Sequence, residues 1–308
     1  MRHLLFLCLL PLFTASCNEE FFEQTIEIDP PAYDKQLVAH TLAGNLDSLF
    51  ALPLTRNFGI LDPTPDSAWA VKNALVEIYE DGQLKLIAPP SPLGDRWYIA
   101  PLAPGFFQAG KSYELRASHP DFPTMTARQT MPGPFQIDST GYRENAGISA
   151  DGSELSAFDV YLKDQAGVRN YYVMWVEGLS PEVHVIYDPS GQPVGFDTTG
   201  YYAYHLYAES PEDPNVRLAT GSTFAVSDQF FDGQGYKFSF RTYRFDTYAR
   251  YRIHVQSVTE DYFLYTVSAQ RKADVEDLPL VEPVTVYDNM DQGIGIFGLG
   301  WEEVRELE

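Results

Sequence analysis

The chain has 308 residues, with 43 acidic against 21 basic side chains and two cysteines. A formal charge of −22 excludes the basic face that binding a phosphate backbone needs, and two cysteines exclude a disulfide scaffold or a cysteine-rich zinc or iron–sulfur site. At 44% hydrophobic and 14% aromatic the acidity does not signal disorder, and the length suits about two domains at ~150 residues each.

Met1-Arg2-His3 supplies a positive start, and Leu4 to Phe13 is an apolar run of ten residues. Ten helical residues at ~1.5 Å each fall short of a hydrocarbon core ~30 Å thick, so residues 1–16 read as a signal peptide rather than a membrane span. Thr14-Ala15-Ser16-Cys17 resembles the lipobox at which a bacterial lipoprotein is cleaved and acylated, with Thr14 where leucine is commoner. Cys8 leaves with the signal, so Cys17 has no partner left in the mature chain. Acyl chains there anchor at ~0.8 kcal/mol per buried CH₂. The alternative is an ordinary signal peptide followed by an incidental cysteine. Asn18, Glu19 and Glu20 open a tether over 17–24 and read either as a surface-export tag or as a hydrated spacer.

Strand signals dominate the chain beyond the tether. Leu75 to Tyr79 and Gln83 to Ile87 flank Asp81-Gly82, the dipeptide of a type I′ hairpin turn. Leu46 to Ser67, with its prolines, reads as a long loop. Lys111 to Ala117 alternates, setting Tyr113, Leu115 and Ala117 on one face. Thr-Met-Pro-Gly-Pro opens a Gly-, Asp-, Ser- and Asn-rich stretch over 130–153, the expected boundary between a β-sandwich at 25–132 and a second β-rich domain at 136–300. Residues 171–177 form an aromatic and β-branched run, and Asp188 to Asn215 reads as a second long loop. Tyr236 to Tyr243 and Tyr251 to Val255 alternate again. Ser257-Val-Thr-Glu260 fits a capping box, and Arg271-Lys272 suit a helix C-terminus, which predicts one short helix over 259–272. Residues 301–308 read as a tail. Short strands joined by turns predict a mainly β fold.

Few residues suggest chemistry. Gly293-Ile-Gly295-Ile-Phe-Gly298 has dinucleotide-loop spacing, but ten residues remain after it and no βαβ unit can follow. A Gly-rich strand packed closely on a neighbour explains it better. Asp288 and Asp291 offer oxygen ligands in loose calcium-loop order, and Asp228 with Asp232 a similar set; turn chemistry accounts for both without a metal. His40, His119, His184, His205 and His254 never pair at zinc-helix spacing, and there is no nucleophile elbow. No cofactor is expected, and enzymatic work is not, although a carboxylate pair for glycan hydrolysis leaves no local motif. Tyr201, Tyr202, Tyr204 and Tyr207 crowd into seven residues. They read first as the aromatic face of a half-buried strand, and second as a contact for a glycan, a peptide or a protein partner.

Three blocks occur in order: Asp228-Gln-Phe-Phe-Asp232-Gly, Val255 to Tyr265, and Glu282-Pro-Val through Gly293-Ile-Gly-Ile-Phe-Gly298. With the lipobox, Asn73 to Gly82 and Lys111 to Leu115, they resemble the family called domain of unknown function 4249, surface lipoproteins of Bacteroidota. The resemblance implies an immunoglobulin- or transthyretin-like sandwich followed by a second β-rich domain. It also implies an outer-membrane, surface-facing location, and an accessory role beside a TonB-dependent receptor in nutrient uptake. It carries no catalytic or binding residues. A glycan-active hydrolase and a structural or adhesive module are the competing expectations.

Overall fold

The computed structural model describes residues 31–65, 68–92, 94–209, 211, 213–244, 250–278 and 281–307. The signal peptide, Cys17, Asn18, Glu19, Glu20 and the 17–24 tether lie outside the described residues. Residues 31–34 and 58–64 belong to a small unit of their own, in which the Tyr33 hydroxyl and the Gly59 N–H both donate to Asp62.

The rest is mainly β. Alternation and turn chemistry build a four-stranded antiparallel sheet from β3 (Leu75–Glu80), β4 (Gln83–Ala88), β6 (Ser112–His119) and β7 (Phe122–Thr130), in the order β4-β3-β6-β7. Asp81 and Gly82 take φ of 47° and 83°, as a type I′ turn requires. Tyr113, Leu115 and Ala117 face inward and are fully buried. A three-stranded sheet, β14-β9-β8, joins β8 (Gln136–Ile148), β9 (Glu154–Lys163) and β14 (Gly235–Tyr243).

Both small sheets accompany a nine-stranded one. Its strands are β1 (Leu37–Gly44), β2 (Leu49–Arg56), β5 (Trp97–Pro101), β10 (Tyr171–Tyr187), β11 (Pro193–His205), β12 (Arg217–Ala219), β13 (Thr223–Ser227), β15 (Arg250–Val258) and β16 (Gly293–Leu307). They run β12-β13-β10-β15-β16-β1-β2-β5, with β11 paired to β10 alone. This sheet draws strands from both sides of the 130–153 segment. Its β1–β2–β5 part and Phe297 and Leu299 of β16 bury one core with Val76, Ile78, Leu115 and Met125. Tyr172, Met174, Val176, Ile253 and Val255 bury a second with Phe158, Val160, Phe238 and Phe240. The helix α1 (Glu260–Val275) covers the opposite face, where Val267 meets Val173 and Val258.

Several segments differ from the sequence reading. The first expected loop contains β2, whose Phe50, Leu52 and Leu54 alternate inward. Pro53 lies just past the last rung to β1, at Leu54, so its missing N–H breaks no ladder bond on that side. The second contains β11. Residues 301–307, expected as a tail, complete β16 and pair with β15 from Trp301 to Leu307. The helix runs three residues beyond 272. Its N-cap is Thr259, not Ser257, and no side chain caps it; the acidic Glu260 and Asp261 in the first turn and Lys272 in the last agree with its dipole.

Candidate functional site

The extended β10 and β11 form a two-stranded ribbon. β15 accompanies β10 as far as Leu179, opposite Arg250, and among the described residues 180–187 pair with β11 alone. At ~3.3 Å per residue this leaves roughly 25 Å of unaccompanied hairpin. Its turn is held by Asp188, whose carboxylate accepts the Ser190 hydroxyl at 2.6 Å and the Ser190 and Gln192 N–H groups; Gly191 supplies a φ of 83°. The Ser190 and Gln192 donors hold the Asp188 carboxyl below its usual range.

Register assigns each side chain to a face, because residues directly opposite in an antiparallel pair point the same way. Pro181 opposes Tyr201, Val183 opposes Thr198, Val185 opposes Phe196, and Tyr187 opposes Pro193. Apart from Thr198 this face is apolar to the tip, while Ile186 opposes Gly195 on the other, and Phe196, at 74%, is more exposed than any of the tyrosines. The other face carries Ser180 with Tyr202, Glu182 with Gly200, and His184 with Asp197. There Tyr202 donates to Glu182 at 2.8 Å, and His184 lies 3.3 Å from the same carboxylate.

The four tyrosines are therefore not one patch. Tyr201 belongs to the apolar face, where the Arg250 guanidinium lies 5.3 Å from its ring. Tyr202 and Tyr204 belong to the other face, and Tyr207 follows the end of β11, where its carbonyl accepts the Tyr243 N–H. The tyrosine run lies largely in a strand, in line with its reading as an aromatic strand face and against the reading of 188–215 as a loop, and its rings are exposed rather than half-buried. Sequence reasoning misses Val183, Val185, Tyr187, Val194 and Phe196 as candidates. Their signal is present as two alternating runs around Asp188-Pro-Ser-Gly-Gln, obscured by the turn residues that make the whole stretch look like loop.

At the ribbon's base the apolar face continues into charge. His254 sits between Glu302 at 2.6 Å and Glu177 at 3.0 Å, with the Trp175 ring stacked on it at 4.7 Å. Arg252 reaches Glu306 at 2.9 Å and Glu177 at 3.4 Å. Three strands supply these groups, so no local spacing could have disclosed them.

The carboxylates that meet elsewhere, among the described residues, are Asp164, Asp228 and Asp232, with ligand oxygens within 4.8 Å of one another. The sequence paired the last two, and the fold adds Asp164. Protein donors already occupy them. Asp164 accepts the Tyr172 hydroxyl at 2.7 Å, the Asn170 amide at 3.1 Å and the Gly233 N–H at 2.9 Å. Asp228 accepts the Asn170 N–H at 2.6 Å, and Asp232 the Gly167 N–H at 2.7 Å. Burial pushes the Asp228 carboxyl up, and Asp164 adds to the rise. The cluster clasps residues 164–170 to 228–233. Asp164→Ala is expected to lower stability by about 2–4 kcal/mol in urea titration, because it strands a buried hydroxyl and an N–H; an unchanged midpoint would sink the clasp.

Asp288 and Asp291 do not join such a cluster. Asp291 uses its backbone, exchanging N–H and carbonyl bonds with Thr126 of β7. Between them Asn289 bonds both the carbonyl and the N–H of Phe297, so turn chemistry explains the segment. Gly293, Gly295 and Gly298 lie inside β16 against Met125, Ala39 and Tyr262, close approaches rather than a phosphate loop.

A cleft of about 680 Å³ opens between β7, the start of β10 and the N-terminus of α1. Its charges are paired within the protein: Arg128 with Glu114 at 2.6 Å, Arg169 with Asp228 at 3.5 Å, Tyr171 with Glu260 at 2.6 Å, and Tyr287 with Asp261 at 2.6 Å. The ribbon gathers exposed large apolar side chains on one hairpin face, where exposed ones such as Ile60, Ile148 and Phe230 lie elsewhere in the chain.

No curated protein matches the chain. Among solved structures it is similar to Salmonella alpha-2-macroglobulin reacted with methylamine, at 11% identity and a TM-score of 0.24. That match covers 77% of this chain, which spans only 14% of the other. A structure of manganese lipoxygenase of Gaeumannomyces graminis with part of zonadhesin of Komagataella pastoris gives 11% identity and a TM-score of 0.19, covering 73% of this chain and 88% of that one. Scores this low carry no argument. The family comparison is decisive by contrast, since the model of a domain of unknown function, DUF4249, matches residues 23–305, and the chain belongs to that family.

Proposed function

We propose that this protein is an exported lipoprotein, anchored through Cys17 on the outward face of an outer membrane, that works as a non-catalytic binding or accessory module. Its partner on this reading is a TonB-dependent transporter engaged in nutrient uptake. The observation that carries the binding role is the β10–β11 ribbon, whose large apolar side chains are exposed on a hairpin that no third strand accompanies among the described residues. An isolated two-stranded hairpin is at best marginally stable in water, and a contiguous exposed apolar surface marks an interaction site. The anchor rests on the apolar run, the small residues before Cys17 and, on the reading that Cys8 leaves with the signal, the lack of a second cysteine in the mature chain.

Cys17→Ser is expected to move the protein from the membrane pellet to the soluble fraction of fractionated cells. Retention in the membrane would refute the anchor. Protease added to intact cells should digest the wild-type protein, and full protection would place it on the inward face. Co-purification of a transporter from gently solubilised membranes supports the accessory role, and recovery of the lipoprotein alone counts against it.

A further inference from the structure

The ribbon's chemistry selects its occupant. Val183, Val185, Tyr187 and Phe196 are all exposed, and their register gathers them on one face; the exposed Val194 lies at the register shift beside Tyr187. Between Arg169 and Arg217 the sequence has no lysine or arginine and seven carboxylates, three of them (Glu182, Asp188 and Asp197) on the ribbon itself. Among the described residues, no strand pairs the outer edge of β11. The ribbon thus carries an apolar stripe on one face, with Arg250 at its base, and Glu182 and Asp197 on the reverse face, with Asp188 in the turn and an open row of backbone donors and acceptors along the edge of β11.

We infer that this ribbon inserts, apolar face first, into a groove of a different protein whose floor is apolar and whose rim carries lysine and arginine. This deepens the binding role proposed above and rests on it. A lipid interior fits poorly, because the open edge of β11 would lose its hydrogen bonds to water with none in return. A second copy fits poorly too, since it brings the same carboxylates and a formal charge of −22 to the contact. A protein groove supplies both missing parts: hydrogen-bonding partners for the edge, and cations for the rim. Phe196 is the anchor, as the most exposed aromatic ring on the stripe and near its tip.

The test uses the full-length protein in its own cells, with a photoreactive phenylalanine analogue placed singly at Val185, Phe196 or, as a distant exposed control, Leu84. The expected result is one protein adduct of the same mass from 185 and 196 and none from 84. Combining Glu182→Lys with Asp197→Lys should abolish it, and raising salt from ~50 to ~500 mM should weaken it. The adducted protein, once identified and purified, should bind Phe196→Asp at least roughly tenfold more weakly than wild type. The melting temperature of Phe196→Asp should be unchanged, since the ring makes no core contact. An adduct of twice this chain's mass, an adduct with lipid alone, one indifferent to charge reversal, or none at all overturns the inference. The Cys17→Ser protein separates the two failures. It can leave the membrane or stay there whether or not the ribbon finds its groove, and the adduct reports only on the groove.

Discussion

Gly295→Ala is expected to destabilise the protein by about 3–5 kcal/mol, a large fraction of the ~5–15 kcal/mol that holds a typical domain folded. Two independent penalties combine. Gly295 has a φ of +127°, where a side chain is strained by about 1–3 kcal/mol. A Cβ there would also fall on the carbonyl oxygen of Ala39, its parallel partner in β1. That neighbour is backbone in the middle of the sheet and cannot rotate away, so overpacking adds a similar amount. Gly293 offers the contrast, because its blocking atoms belong to the Met125 side chain, which is flexible. Gly133 is a neutral control with open space around it and no positive φ. Urea titration should show a large fall in midpoint for Gly295→Ala and a shift within about 0.5 kcal/mol for Gly133→Ala. Equal midpoints for the two variants would mean that β16 is not inserted beside β1.

Alkaline unfolding should be steep and tied to tyrosine. Tyr98, Tyr113, Tyr172 and Tyr251 are buried in the two cores, and burial pushes each phenol up from its usual value, Tyr113 to about 12. Hydrogen bonds to carboxylates reinforce this for Tyr113, through Glu80, and for Tyr172, through Asp164. A folded state that holds these protons more tightly than the unfolded chain keeps its full stability below about pH 10. It loses that stability as the pH rises from there through the raised values, by about 1.4 kcal/mol per pH unit for each tyrosine. Tyr113, Tyr172 and Tyr251 together remove about 4 kcal/mol per unit, a large part of the ~5–15 kcal/mol of a typical domain within two units, and Tyr98 acts in the same direction. Tyrosinate absorbance and far-ultraviolet circular dichroism should then change together in one sharp step above pH 10. Four phenols ionising gradually near pH 10 with the fold intact would refute the burial assigned to them.

Local signals were legible wherever the chemistry was local. Asp81-Gly82 has the dihedral angles its turn type demands, Tyr113 to Ala117 buries the face its alternation marks, and the acidic start and basic end of 260–272 frame a helix. The failures have a common origin. Pro53 in β2 and the Asp188-to-Gln192 turn beside β11 are residues that usually interrupt strands, and only their position at the end of a rung or in a hairpin turn makes them compatible. The capping box puts the helix N-cap two residues early because it is a pattern of residue types. Which hydroxyl caps depends on where the preceding strand delivers the chain, and here the Thr259 hydroxyl has no partner at all.

By itself the sequence determined the acidity, the mainly β character, the resemblance to the family and the crowding of tyrosines, because each comes from composition, period or a short motif. Only the tertiary structure decided what those features meet. It set β16 parallel to β1 across more than 250 residues, so that a triplet of dinucleotide-loop spacing became three close contacts. It placed His254 between carboxylates from two other strands. Among the described residues it also sets no third strand beside the end of the β10–β11 ribbon, leaving Val183, Val185 and Phe196 exposed. Alternation sorts residues onto two faces, but whether either face is buried depends on what long-range pairing brings against it.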